Sequence, residues 1–316
     1  MKNNRNSFKR LSILTLFVLS LVLVNTNANH SAANVRAAPK TVDLRSQITN
    51  FNLPVRSQGS RNTCSVYTAI FLLEYETAKA TGEKALDFSE DYLDAATDIV
   101  KGAQDDGDYF NNIIAGYLTY GVVDQSDFSN SATYNPKNLP SESLLKEGQA
   151  RNKAVVTFIR ENDGKWGITD SQINQIIAQL DAGRAVGAGW RLDKTGIEEA
   201  QVLGRSVWNK NNLKGAEDIA GHSMPIVGYA REGESGYFIF RNSAGSGWGD
   251  KGYGYCSFDF AKQNIADAFY FAPKTNNRFT VKPQLIKRPP FRYIRLNELQ
   301  RLNVLRRTNP VIQKNK

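Results

Sequence analysis

Thiol or imidazole chemistry in this chain would have to draw on two cysteines and two histidines among 316 residues. Cys64 heads "CSVYTAIFLLEYETAKATG", an apolar run with helical spacing. His222 lies in "GHSMPIVGY", just before a strand-like run, whereas His30 sits far upstream among small polar residues. A thiol attacks a carbonyl only as thiolate, and a helix N-terminus or an imidazolium neighbour lowers its pKa. Cys64 stands where the first effect acts. His222 is the imidazole that the folded part offers for the second. Cys256, in "YGYCSFDF", falls on the alternation of a strand, which makes it a packed side chain. Two plainer readings stand beside this one: Cys64 as a small buried hydrophobe, and His222 as a hydrogen-bonded core residue. The polar flank "SQGSRNT" ahead of Cys64 argues against simple burial.

Two amides complete a constellation. Gln58 lies six residues before Cys64, where its side-chain N–H can join the Cys64 backbone N–H around an oxyanion. Asn242 follows His222 by twenty residues, after the run "YFIF". If the two runs pair as neighbouring strands, Asn242 reaches the imidazole and fixes its tautomer and orientation. Other motifs fail. "GSGWG" lacks the lysine, Ser/Thr and following helix of a phosphate loop. "DDGD" does not have EF-hand spacing, and one histidine with two cysteines makes a poor zinc set. No metal or cofactor is expected.

The elements that must position these residues divide the chain. The run from Cys64 carries Val66, Ile70, Leu73 and Thr77 on one face, has Asn62 or Thr63 as N-cap type, and stops at Gly82. "DFSEDYLDAATDIVKG" reads as a second helix capped by Ser89 and stopped at Gly102, and "YFNNIIAGYLTYG" as a third stopped at Gly121. From Ala154 the texture changes. "AVVTFI" and "RAVGAGWRL" read as strands around a helix "SQINQIIAQLDAG", followed by the short aromatic and β-branched runs "SMPIVGYA", "GYFIFRNS", "GYGYCSFDF" and "AFYFA". The expected class is α+β, with a helical lobe followed by an antiparallel sheet or barrel.

Both ends differ from this middle. Lys2, Arg5, Lys9 and Arg10 precede the uncharged run Leu11 to Val24, which is short for a membrane span and suits a secretory signal cleaved after Ala28. The formal charge is +9, yet twelve Lys or Arg face Glu298 alone in residues 273–316. The core is therefore mildly acidic, and whole-chain basicity is no argument for nucleic-acid binding. The tail reads as a solvated extension or an anchor to anionic cell-surface polymers or lipid. The expected organisation is a signal peptide over 1–28, a short lead-in over 29–40, a folded domain over 41–272 and a basic extension over 273–316.

The blocks "TVDLRSQITNFNLPVRSQGSRNTCS", "DFSEDYLDAATD", "YFNNIIAGYLTYGVV", "GHSMPIVGY" and "RNSAGSGWGDKGYGY" resemble the papain family of cysteine peptidases, from Thr41 to Ala272. The resemblance implies two lobes with a cleft between them and hydrolysis of peptide bonds in peptide or protein substrates; with the N-terminal signal, the expectation is a secreted or cell-surface monomer. The resemblance implies Cys64 as nucleophile, His222 as general base and acid, Asn242 as orienter and Gln58 as oxyanion donor. It places Gly107, Asp108 and Trp248 along the substrate. The departures are Arg61 where the family usually has a disulfide cysteine, Ser65 and Ala244 in place of tryptophans, and Asp108 in place of a second glycine. Loss of the tryptophan at 244 implies a wetter His–Asn hydrogen bond, and a carboxylate at 108 implies either an obstructed peptide or a preference for a basic side chain. The family's long inhibitory propeptide has no room between Ala28 and Thr41, so the expectation is either no restraint or one supplied by the basic extension docked on the acidic core over the cleft. Two rival functions remain: a catalytically weak binding or adhesion module, and a Cys–His hydrolase or transpeptidase acting on cell-wall peptides.

Overall fold

The computed structural model describes residues 40–274 and Leu285. The signal peptide, nearly all of the lead-in and the basic extension beyond Lys274, apart from Leu285, lie outside the described residues. The chain opens with strand β1 (Lys40–Asp43) and helix α1 (Arg45–Asn50), then builds a helical half from α2 (Cys64–Thr81), α3 (Glu90–Lys101), α4 (Phe110–Tyr120) and α5 (Glu142–Ala150). The second half contains β2 (Ala154–Arg160), α6 (Asp170–Asp181), β3 (Val186–Asp193), β4 (Ile197–Val202) and β5 (Arg205–Asn211). It continues through β6 (Ile219–Glu232), β7 (Ser235–Arg241), β8 (Tyr253–Ser257), α7 (Phe258–Asn264) and β9 (Ile265–Pro273). The class is α+β, as the sequence pattern implies.

Local chemistry sets the helix ends. The Ser89 hydroxyl accepts the Tyr92 N–H at the start of α3, and left-handed Gly82 and Gly102 close α2 and α3. Helix α2 departs from the one-faced stripe expected for it. Val66, Ile70 and Leu73 are buried, but so are Ala69, Leu72 and Tyr75 on other faces. A helix buried nearly all round belongs in the middle of a fold, and α2 packs against α3 and α4 on one side and β3, β6 and β9 on the other. Its N-terminal residue, Cys64, is thereby delivered to the junction of the two halves.

Nine strands form one sheet in the order β2-β9-β3-β6-β7-β8-β5-β4, with β1 added on β6. The pairings are antiparallel except for a parallel contact of β5 with β8 at Trp208 and Cys256. Long strand β6 pairs with β3 along its first half, where His222 faces Trp190, and with β1 near its end. Strand β7 lies on the other side of β6 and ends at Arg241, so Asn242 leaves the sheet beside the strand that carries His222. Cys256 is fully buried in the core, the packed role its strand alternation implies, and both cysteines are free thiols.

The turn after α4 shows how tightly the helical half is assembled. Gly121 has φ +65°, and a Cβ there would sit 1.8 Å from the Gly148 carbonyl oxygen of α5. Gly164 has φ +78° but nothing within 4 Å of its would-be Cβ. Gly121→Ala is expected to cost about 3 kcal/mol or more, and Gly164→Ala only about 1 kcal/mol of backbone strain. Urea unfolding of the two variants measures the difference.

Candidate active site

Cys64 begins α2, and the preceding Thr63 makes no side-chain cap. The first-turn N–H groups, that of Cys64 among them, have no acceptor within the helix, which leaves a donor beside the sulfur. The thiol is fully buried, and Ser223, the residue after His222 on β6, lies near enough for its backbone and hydroxyl to offset part of the burial cost. Burial pushes the thiol up to about 12. The helix terminus does not prevail here, contrary to the expectation of a lowered thiol pKa, because removing a thiolate from water costs more than one helix end returns.

His222 is equally enclosed, at 1% exposure. Burial drives its pKa down to about 4, against the opposing effect of a hydrogen bond to Asn242. That bond joins His222 Nε2 to Asn242 Oδ1 at 2.8 Å. The same oxygen accepts the Ser243 backbone N–H, also at 2.8 Å. An atom that accepts an amide N–H is the carbonyl oxygen of the side chain, so Nε2 must be the donor and the neutral ring keeps its lone pair on Nδ1. Nδ1 is buried and has no hydrogen-bond partner among the described residues. At neutral pH both the thiol and the imidazole are therefore neutral, and the ring's Nδ1 is bare.

Asn242 is only 2% exposed. The expected wetting of its bond to His222 is therefore not found. Ala244 forms an isolated bridge with Ser57, and the strand-like crossing of 56–58 over 243–245 closes the space. The crossing has further hydrogen bonds, from Gln58 N to Ser243 O at 2.9 Å and from Gly245 N to Arg56 O at 3.1 Å. Arg56 anchors it to the helical half through Glu74 at 2.5 Å and Glu90 at 2.7 Å.

Gln58 is fixed at both ends of its amide. Its Oε1 accepts the Ser243 hydroxyl at 2.5 Å, and its Nε2 donates to the Arg61 carbonyl at 2.8 Å. A primary amide has two N–H groups, so one remains for an oxyanion. Gly107 packs on the same loop: with φ +73°, its would-be Cβ falls 2.2 Å from Asn62 O, so only glycine fits.

Two expected substrate contacts are placed differently. The Asp108 carboxylate does not face a substrate. It pairs with Lys101 at 2.5 Å and accepts the Tyr109 N–H and the Asn112 side-chain amide, because an unpaired carboxylate at 1% exposure would be too costly. The Trp248 ring is a core element, edge-on to Trp208 at 6.0 Å and tilted against Phe240 at 6.0 Å.

One residue escaped the sequence reading. Beside His222 and Ser223 lies a small, open recess lined by Tyr109, Phe110, Trp166 and Asp267. Asp267 faces Gly189 across the β3–β9 ladder, and any Cβ at 189 would strike its Oδ1 at 2.1 Å. Its carboxylate takes a long hydrogen bond of 3.3 Å from Asn162, and burial raises its pKa to about 6. It belongs to no ion pair among the described residues. The available signal was a lone acid inside the apolar run "IADAFYFA".

The profile of the papain family of cysteine proteases matches residues 38–272. The chain belongs to that family. Cysteine proteinase 3 of Entamoeba histolytica is 29% identical over 239 residues, covering 72% of this chain and 65% of its own length. Mouse cathepsin K is 23% identical over 221 residues, covering 68% and 58%. The chain thus spans less than two thirds of the length of these curated relatives. Among solved structures, xylellain, a cysteine protease from Xylella fastidiosa, superposes with TM-score 0.57 at 18% identity over 76% of this chain and 88% of its own. Digestive procathepsin L 3 of Tenebrio molitor gives 0.51 at 20% identity over 77% and 72%. These structural likenesses establish the papain-like fold.

The buried imidazole leaves a measurable trace in stability. Its folded pKa lies below its unfolded value, so the unfolded chain takes the proton first as pH falls. Stability contributed by neutral His222 is present above about pH 6.5 and is lost as pH falls toward 4, amounting to about 3 kcal/mol. Between pH 7 and pH 4 the wild type should lose about 3 kcal/mol more unfolding free energy than His222→Ala, as read by urea titrations at both pH values.

Proposed function

We propose that this papain-family chain is a peptidase that cleaves amide bonds through Cys64, His222, Asn242 and Gln58. The observation that carries the reading is the bare Nδ1 of a ring whose other nitrogen is held by Asn242, on the strand whose next residue, Ser223, lies beside the buried Cys64 thiol. In this reading the Cys64 proton passes to Nδ1 as sulfur bonds to the scissile carbonyl carbon. The carbonyl oxygen becomes an oxyanion held by the free Gln58 Nε2–H and the Cys64 N–H. The imidazolium then protonates the leaving nitrogen, the C–N bond breaks and a thioester remains. Nδ1 next takes a proton from water, whose oxygen attacks the thioester, and the protonated ring returns the proton to sulfur as the acid departs. Neutral resting groups suit this sequence, since charge separates only once a substrate carbonyl is present to accept it.

Gly107 would offer its loop backbone to an extended substrate, and a substrate side chain would lie over the open recess beside His222. Asp267 at its wall favours a basic side chain there, because a cation would offset the burial of a carboxylate whose hydrogen bond from Asn162 is long. The basic and then apolar N-terminal run supports export, and the basic extension supports contact with anionic surfaces. The full burial of the thiol favours one alternative, a catalytically weak domain that binds peptides and turns them over poorly.

Hydrolysis of a mixed peptide library separates the two. Wild type should cleave, with iodoacetamide adding mass at Cys64 and not at Cys256, and Cys64→Ala should lower kcat/KM by on the order of 10³-fold or more. Folded protein that neither cleaves nor labels at Cys64 supports the binding alternative. Asp267→Asn should reduce the kcat/KM ratio of Arg- to Leu-containing substrates about 10-fold or more while leaving cleavage of the Leu substrate within about 3-fold.

A further inference from the structure

Arg61 has no part in the chemistry described above, yet it is among the most heavily bonded side chains near the site. It lies in the loop between Gln58 and Cys64 at 6% exposure. Its Nε meets Asp106 at 2.6 Å, Nη1 meets Asp91 at 2.7 Å, and Nη2 meets Asp94 at 3.0 Å. Asp91 and Asp94 come from α3, and Asp106 from the loop leading into α4.

Each carboxylate uses its second oxygen on a backbone N–H. Asp106 Oδ2 accepts Asn62 N at 2.9 Å, Asp94 Oδ1 accepts Gly107 N at 3.0 Å, and Asp91 Oδ2 accepts Ser131 N at 2.9 Å. One guanidinium therefore links three loops through carboxylates that each point both ways. Nη1 also donates to the Ser131 carbonyl at 3.1 Å, and Tyr134 lies under the guanidinium with its ring 5.7 Å from Cζ. The planar fork of arginine can meet carboxylates from several directions, which the point charge of lysine cannot.

The Arg61 main chain is what touches the site. Its carbonyl accepts the Gln58 amide N–H, which determines where the second N–H points. A shift of this loop by half an ångström would displace the oxyanion donor.

We propose that Arg61 is a positioning residue for the oxyanion site: its three-carboxylate clamp holds the Gln58–Cys64 loop against the Gly107 loop and so aims Gln58 Nε2. This rests on the peptidase reading above. It separates Arg61 from a residue that merely stabilises the fold, because its effect must travel through Gln58.

A double-mutant cycle tests it, with iodoacetamide as a second probe whose attack by sulfur develops no oxyanion. Gln58→Ala is expected to lower kcat about 10²-fold, and Arg61→Lys about 10-fold with KM within about 2-fold. In the Gln58→Ala background, Arg61→Lys should change kcat by less than about 2-fold. Alkylation of Cys64 in Arg61→Lys should stay within about 2-fold of wild type. Asp106→Asn, which loosens one arm and keeps the arginine, should lower kcat in the same way and lose that effect without Gln58. Additive losses, or alkylation that falls in parallel with kcat, overturn the proposal and leave Arg61 as a fold-stabilising residue. A wild-type protein that labels at Cys64 but hydrolyses no peptide overturns the peptidase reading and this proposal with it.

Discussion

One oxygen atom organises this site. Asn242 Oδ1 accepts both the Ser243 N–H and His222 Nε2–H. The first bond identifies the atom, and the second then dictates the ring's tautomer. With the tautomer set, Nδ1 can only be an acceptor. Rotation of the asparagine amide would place two N–H groups against a backbone N–H, a repulsive contact in a dry interior, so the arrangement is held in one state.

Burial sharpens this constraint. With thiol and imidazole both pushed toward their neutral forms, neither can ionise alone at modest cost. In the proposed reaction, proton transfer between them would create two opposite charges together, which a low-dielectric site tolerates far better than one. The crossing of 56–58 over 243–245 keeps the site dry where Ala244 gives little cover, and Arg56, Glu74 and Glu90 hold that crossing to the helical half. Gln58 and Asn242 are therefore parts of one small hydrogen-bonded patch, joined through Ser243.

Much of this was legible in the sequence because its signals are local. Ser89 and Gly102 bracket α3 with groups that act on their own turn. The order and neighbours of Cys64, His222 and Asn242 carried the family resemblance. What escaped depends on partners far away in the chain. The β4–β5 hairpin turns through Leu203 and Gly204, both at positive φ, and leucine gives no turn signal there. In "CSFDF" alternation suggested a continuing strand, but the Ser257 hydroxyl accepts the Phe260 N–H and starts α7. Asp108 looked like a groove residue until Lys101 took its carboxylate, and Arg61 looked like a missing cysteine until Asp91, Asp94 and Asp106 converged on it. Composition says which charges exist; only the fold says which of them meet.

The tautomer of His222 is the claim on which the rest stands. Once His30 is replaced, nitrogen NMR of ¹⁵N-histidine-labelled protein reads a single ring. At pH 6 the account predicts a protonated Nε2 and a bare, pyridine-like Nδ1, with the proton on Nε2 no longer protected from exchange in Asn242→Ala. A proton on Nδ1, or an imidazolium carrying both, would contradict it.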